Sequence, residues 1–254
     1  GVPLITTFHD AWRAETINLV IYKAIHRAIG RLFAKRIVTV SSELKTLLGF
    51  SNLRKAQVVL NVVEDTAIGT SDLVSSYKDR GLSVYSLVSR IAPQKNIDRA
   101  IHAWKKAALK DAVLIIVGDG PEKDRLQSLS EELGIVKDVQ FLGFRTDAKT
   151  IIYNSDVFLL SSDHEGLPTT ILERMIGGGV FVSTKLEGVI EAHSKIPGYP
   201  AVFTDFSIDS FAEGILSAAR QKKASDDVIR GVRDYYFPNR AARELAAIWR
   251  ECTN

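Results

Sequence analysis

Residues 156–184 read DVFLLSSDHEGLPTTILERMIGGGVFVST. Asp156 to Leu160 read as an apolar strand, followed by a short polar loop that carries Glu165. Gly166-Leu167-Pro168 then lead into a helical run. Proline suits the first helical position, because the N–H that it lacks would be unpaired there anyway. Gly177-Gly178-Gly179 stop the helix, and Val180 to Thr184 form the next strand. Glu165 therefore sits on a strand-to-helix turn, beside the free N–H groups of a helix N-terminus, which attract anions and phosphate above all. Glu173 follows after seven residues, in the second turn of the same helix.

The alternation extends both ways. From Leu82 onward, strands are expected at 84–88, 112–117, 138–142, 156–160, 180–184 and 201–203. Helices fall near 96–109, 121–133, 147–153, 168–176 and 207–221. Strands this apolar, each followed by a helix, predict an α/β fold with a parallel, doubly wound sheet covered on both faces. Ligands of such sheets bind beyond the carboxyl ends of the strands. The informative loops are therefore those after Val88, Val117, Leu142, Leu160 and Thr184.

The first of these loops carries Arg90 and Lys95, just before a helix. Arg forks onto phosphate oxygens and Lys acts as a point charge, so the two suit a diphosphate. On charge alone, a solvated loop is the plainer reading. After Val117 comes Gly118-Asp119-Gly120-Pro121, where glycine admits a close backbone approach. After Leu142 comes Gly143-Phe144-Arg145, and Phe144 reads equally as a contact or as ordinary packing. Near the N-terminus, His9 follows a strand over Val2 to Phe8. The other histidines have no spacing partners, and no metal-ligand cluster is expected.

A helix over 13–34 shows Ile17, Val20, Ile21, Ile25, Ile29 and Leu32 at helical spacing. The plain reading packs this stripe on a sheet and leaves Lys23, Arg27 and Arg31 in solvent. The sharper reading rests residues 13–36 on anionic membrane lipid. Between Arg13 and Lys55 there are nine Lys or Arg against Glu15 and Glu43, although the whole chain carries only +3. That asymmetry points to an anionic partner. Nucleic acid is disfavoured, since no recognised motif accompanies the charge. The single cysteine, Cys252, excludes an intrachain disulfide framework and fits a reducing, cytoplasmic setting. No apolar run is long enough to span a bilayer. Further strands are expected at 36–40 and 57–60, with a helix capped by Ser41-Ser42 between them and two more helices over 224–235 and 239–249. Residues 65–81 are polar and loop-rich, and read as a linker between a unit over 1–64 and one over 82–234.

The string from Ser161 to Thr184, with VSRIAPQKNIDRAI after the first strand of the larger unit, resembles the signature of retaining glycosyltransferases of family 4. The resemblance runs from about Pro3 to Trp249. It implies the GT-B arrangement, two Rossmann-like domains with a nucleotide sugar in the cleft between them. Residues 82–234 then correspond to the donor-binding domain, and 1–64 to the later part of the acceptor-side domain. The segment over 235–254 corresponds to the helix that returns to the first domain. The family's first strands and early glycine-rich loop have no counterpart here.

The resemblance assigns Arg90 and Lys95 to the donor diphosphate, Glu165 to a sugar hydroxyl near the reacting carbon, and His9 to the opposite wall. Gly166 and Leu167 offer backbone N–H groups, Glu173 accepts from the ribose hydroxyls, and Gly118, Gly120 and Phe144 line the nucleotide site. No metal or cofactor is implied. Three departures bear on specificity. Gly179-Val180-Phe181 stand where a small residue, glycine and Pro-Val-Val are usual. Glu187-Gly188 replace a glycine pair, and Asn61-Val62-Val63-Glu64 replace Asn-Gly-Val-Asp.

The expected function is transfer of a sugar from a nucleoside-diphosphate sugar to a hydroxyl of a glycan or lipid-linked acceptor. The alternatives are a fragment that binds nucleotide sugar without transfer, and a nucleotide-sugar epimerase on the same architecture.

Overall fold

The computed structural model describes residues 4–9, 17–64 and 69–253. Val2 and Pro3 of the expected first strand, residues 13–16 of the expected helix and 65–68 of the expected linker lie outside them. The described residues form two parallel sheets, one of three strands and one of six.

The smaller sheet has the order β1 (Ile5–Phe8), β2 (Arg36–Thr39), β3 (Ala56–Val58). Helix α1 (Ile17–Phe33) connects β1 to β2, and α2 (Ser42–Leu47) connects β2 to β3. The Ser41 side chain accepts from the Leu44 N–H at 3.1 Å and caps α2, as its sequence predicts. Helix α1 departs from the plain reading. Gly30 lies against Thr6 and Phe8 of β1, but Ile25, Ile29, Leu32 and Phe33 are exposed, Leu32 by 72%. Periodicity reveals an apolar stripe; it does not say what covers it. The outer edge of β1 likewise has no strand partner among the described residues.

Residues 72–78, inside the expected linker, form helix α3 (Asp72–Lys78), capped by Ser71. Val74 is buried beside Val84, Ile115 and Ile151. The larger sheet then follows: β4 (Ser83–Val88), α4 (Ile97–Ala107), β5 (Ala112–Val117), α5 (Lys123–Glu132), β6 (Val139–Gly143), α6 (Ala148–Asn154), β7 (Val157–Leu160), α7 (Thr169–Ile176), β8 (Val180–Thr184), α8 (Glu187–Ser194), β9 (Ala201–Thr204) and α9 (Ile208–Ala218). Its strand order is β6-β5-β4-β7-β8-β9, all parallel. All residues of β5, β7 and β8 are buried, because helices cover both faces. Tyr85, Leu114 and Ile116 face α4 and α9, while Val84, Val113 and Ile115 face α3 and α6. Helix α8 has no counterpart in the sequence reading, where Glu187-Gly188 read as loop.

The chain ends in α10 (Asp226–Tyr236) and α11 (Pro238–Thr253). Ala241 and Ile248 of α11 pack on Val38 and Val59, so the last helix lies on the smaller sheet. Arg240 Nη2 donates to the Leu60 carbonyl at 2.9 Å, and Arg36 pairs with Glu251 at 3.1 Å. One apolar core joins the sheets: Ile37, Val40, Leu44 and Phe50 belong to the same cluster as Phe158, Leu167, Ile171 and Val189.

Candidate active site

The strand order fixes where the site lies. The chain runs outward from β4 to β5 and β6, then returns to β7 on the other side of β4. The loops after β4 and β7 therefore part at this switch, where the crevice of a doubly wound sheet opens. These are the loops that carry Arg90, Lys95 and Glu165.

Lys95 ends a single 3-10 turn over Pro93–Lys95. Its Nζ is ion-paired with Glu165 Oε1, and both side chains are largely shielded, at 21% and 11% exposure. Ser162 Oγ donates to the same carboxylate oxygen at 2.7 Å. Arg90, on the same loop as Lys95, is exposed and makes no ion pair among the described residues. The structure thus brings Lys95 and Glu165 into direct contact, with Arg90 free to turn toward an anion.

Glu165 stands just before α7. Pro168 has ψ 126°, an extended value, so it is the cap residue and not the first helical residue expected from the sequence. No side chain caps α7, which leaves first-turn N–H groups available to an anion. Leu167 is buried, and its carbonyl accepts from Asn61 Nδ2 at 2.7 Å. Gly166 lies against the smaller sheet, where a Cβ would overlap the His9 carbonyl oxygen. His9, exposed at the end of β1, is thereby held beside the Glu165–Gly166 turn.

Glu173 is on α7 and half-buried. Burial pushes its carboxyl above the ordinary carboxylate range, partly offset by the Lys149 ammonium. Lys149 also donates to the Glu64 carbonyl at 2.8 Å, at the edge of the smaller unit.

The loops after β5 and β6 form the other flank. A Cβ on Gly118 (φ 139°) would overlap the Ser89 carbonyl oxygen, and one on Gly120 would overlap that of Ile91. The close approach that these glycines permit is therefore that of the Arg90 loop itself. Ile91 N–H donates to the Asp119 carbonyl at 2.8 Å, which seats one loop on the other. Phe144 is 77% exposed, so ordinary packing does not explain it. Arg145 and Asp147 form a bidentate pair at 2.7 and 2.8 Å just behind it.

Sequence reasoning missed three residues. Lys123 reaches Asp119 at 3.3 Å and lies near Gly143, bridging the loops after β5 and β6. Arg99 and Asp163 tie the loops after β4 and β7 together. Their sequences read as helix-surface and loop charges, with no local signal of burial. Among the described residues, no group of three or more His, Cys, Asp or Glu is placed to hold a metal ion.

Comparison with known proteins gives this geometry a context. The profile of the family described as Glycosyl transferases group 1 matches residues 75–234. The UDP-Gal:alpha-D-GlcNAc-diphosphoundecaprenol alpha-1,3-galactosyltransferase of Escherichia coli is 30% identical over 240 residues, covering 87% of this chain and 62% of that protein. The lipopolysaccharide core biosynthesis glycosyltransferase LpsE of Rhizobium meliloti is 31% identical over 135 residues, covering 53% of this chain and 39% of LpsE. This chain thus spans less than two thirds of the length of these relatives. Among solved structures, Anabaena Alr3699/HepE in complex with UDP and glucose superposes with a TM-score of 0.80 at 21% identity, over 96% of this chain and 70% of that one. The fold is that of the GT-B glycosyltransferases, with one complete Rossmann-like sheet and a smaller second one.

Proposed function

The chain belongs to the glycosyl transferases group 1 family, and on that premise we propose that it is a retaining glycosyltransferase. It moves a sugar from a nucleoside-diphosphate sugar to a hydroxyl of a glycan or lipid-linked acceptor. The observation that carries this reading is the Lys95–Glu165 pair at the sheet's switch point, beside the uncapped start of α7. A diphosphate entering there meets Lys95, Arg90 and the α7 N–H groups, which stabilise the charge that develops on the leaving oxygen. Glu165, released from Lys95 as the phosphate takes the ammonium, accepts from a sugar hydroxyl. Its role is to hold the sugar, and the acceptor hydroxyl attacks from the face that the diphosphate leaves. Glu173 holds the ribose, and Phe144 offers its open face to the base. His9 closes the sugar site from the smaller sheet.

The galactosyltransferase relative is named for a UDP-sugar donor and a lipid-linked acceptor, so UDP-sugars are the first donors to try. The decisive experiment replaces Arg90 and Lys95 together by alanine and measures release of UDP from UDP-glucose and UDP-galactose. Unchanged donor turnover would sink the assignment. Which nucleoside diphosphate raises the melting temperature identifies the base.

A second reading has a specific observation behind it. The edge of β1, open among the described residues, and the exposed stripe of α1 support treating residues 1–64 as part of a larger acceptor-side unit. Residues 65–81, whose helix α3 packs on the larger sheet, then lead into the donor unit over 82–234, and 235–254 cross back. On this reading the chain by itself binds nucleotide sugar without transferring it. Calorimetry with UDP plus a transfer assay separates the two: binding without turnover favours the second.

The same region supports peripheral contact with an anionic membrane, since Arg31 and Lys35 are exposed beside Leu32 and Phe33. The site would then work at the cytoplasmic face. No helix among the described residues is long and apolar enough to cross a membrane. Salt-sensitive binding to anionic vesicles is expected, and no binding at low salt removes the idea.

A further inference from the structure

We propose that Arg99 is a positioning residue of the donor site: with Asn96 and Asp163 it fixes the loop after β4 to the loop after β7, and so holds Lys95 against Glu165. The inference rests on the glycosyltransferase reading above.

Arg99 lies in the first turn of α4 and is 7% exposed. Its guanidinium spends every nitrogen on another segment. Nη1 donates to the Ser161 carbonyl at 2.6 Å and Nη2 to Asp163 Oδ1 at 2.7 Å. Nε donates to the Phe206 carbonyl at 2.9 Å, and the group stands 5.5 Å from the Phe206 ring centroid. A buried charge is tolerated only when paired and hydrogen-bonded. Here one fork meets two acceptors of the β7 loop and one of the loop after β9, an arrangement that a lysine cannot reproduce.

Asn96 supplies the other half. It adopts the left-handed region (φ 42°, ψ 50°), which asparagine tolerates better than most residues. Its Oδ1 accepts from the Arg99 N–H at 3.2 Å and caps α4, while Nδ2 donates to both Asp163 oxygens at 3.1 and 3.2 Å. Asp163 is thus gripped by Asn96 and Arg99 together. Three further bonds run between the loops: Asp163 N–H to the Gln94 carbonyl at 3.0 Å, Gln94 Nε2 to the His164 carbonyl at 2.8 Å, and Ser161 Oγ to the Lys95 carbonyl at 2.8 Å.

The positions of these bonds matter. Gln94 and Asn96, the neighbours of Lys95 on either side, are both tied to the opposite loop. Asp163 and His164, the residues before Glu165, are both tied back. This bracket fixes the backbone on both sides of Lys95 and just before Glu165, and so places the two side chains within reach of each other. A donor diphosphate then exchanges one fixed partner of Lys95 for another, without reordering the loop. Misplacing such groups by about an ångström costs on the order of a hundredfold in rate.

The test uses Arg99→Lys, with Asp163→Asn as a second variant that keeps size and the Asn96 contact but removes the charge facing Arg99. UDP binding by the unaltered protein and its release of UDP from UDP-glucose and UDP-galactose are measured first. If the unaltered protein binds none of UDP, GDP or ADP and turns over no donor, the reading of the site fails and takes this inference with it. Otherwise each variant is expected to lose kcat on the order of tenfold or more while keeping its melting temperature; where the unaltered protein binds UDP without turnover, the same loss is expected in UDP affinity and is judged by the same criteria. Combined with Lys95→Ala, each should add less than about twofold to the loss from Lys95→Ala alone, because residues acting through one another are not additive. Loss of melting temperature with turnover kept within about twofold, or full additivity with Lys95→Ala, overturns the proposal while leaving the site reading intact. If Arg99→Lys does not fold, Asp163→Asn decides by the same criteria.

Discussion

Glu191 of α8 accepts from both the backbone N–H and the hydroxyl of Ser42, at 2.7 and 2.8 Å. A carboxylate of the larger sheet's unit thereby caps α2 of the smaller one, where negative charge meets free N–H groups and the positive end of a helix. Just before it, Gly188 is pressed so closely on Gly166 that a Cβ would overlap the Gly166 carbonyl oxygen. Two effects of different size follow. Glu191→Ala is expected to cost about 1 kcal/mol, since the contact is partly solvated. That is a fall of roughly 2–4 °C in melting temperature for a chain of this size. Gly188→Ala is expected to cost more and to reduce donor turnover as well, because Gly166 must shift from the proposed sugar site. Equal melting temperatures for the two variants would show that the glycine contact yields without strain.

Glu173 gives a pH signature. Its carboxyl is held above its ordinary value, first by burial, with Lys149 opposing. Between the ordinary carboxylate pKa and the raised one, the folded state binds more protons than the unfolded state, so stability falls as pH rises through that window. Glu173→Gln is therefore expected to be neutral or stabilising near pH 7. It is also expected to weaken nucleoside-diphosphate binding by roughly tenfold or more, since the charged acceptor proposed for the ribose hydroxyls is lost. Lys149→Met should move the acid limb of donor binding to higher pH. Melting curves and calorimetry with UDP between pH 5 and 8 check the signs, and an unshifted acid limb in Lys149→Met would count against the pairing.

Arg174 accounts for the third glycine of the Gly177-Gly178-Gly179 run. It is fully buried, and its guanidinium donates to the carbonyls of Ile152 (2.7 Å), Tyr153 (3.1 Å), Asp156 (2.6 Å) and Val180 (3.2 Å). A Cβ on Gly179 would overlap its Nη2. Burial lowers the Arg174 pKa, yet the carbonyl cage suits only the charged fork. Arg174→Ala strands these carbonyls and is expected to cost roughly 3–5 kcal/mol. Gly179→Ala should be comparably severe, measured by urea unfolding. A loss under about 1 kcal/mol for either would mean that the cage relaxes around the change.

The larger sheet was legible in the sequence because its strands are continuous apolar runs, each followed by a helix-length stretch. The loops that carry Arg90, Lys95 and Glu165 followed from the position of those strands. What stayed hidden depends on partners far along the chain. Arg99 in NIDRAIHAW and Arg174 in ILERMI read as surface charges, and only carbonyls and a carboxylate from other elements make them buried. Helix α3 was masked because Leu73, Val74 and Tyr77 are too few to show a period among polar neighbours. That a Cβ at Gly118 or Gly120 would overlap the Ser89 or Ile91 carbonyl oxygen was equally hidden, because those atoms belong to another loop.

Phe144 offers the clearest separation of binding from stability. It follows β6, whose last residue, Gly143, accepts from the Gly118 N–H at 2.8 Å, so the loop is anchored at its root. The Arg145–Asp147 pair fixes the residues behind it. A large aromatic ring left 77% exposed on an anchored loop buries little in the free protein, so Phe144→Ala should change unfolding stability by less than about 0.5 kcal/mol. Stacking of a base on an aromatic ring contributes about 1–3 kcal/mol, so UDP affinity should fall roughly five- to a hundredfold. Pyrophosphate, which has no base, should bind Phe144→Ala as it binds the unaltered protein. Calorimetry with the two ligands makes the comparison, and equal losses for both would mean that Phe144 shapes the phosphate site and does not meet the base.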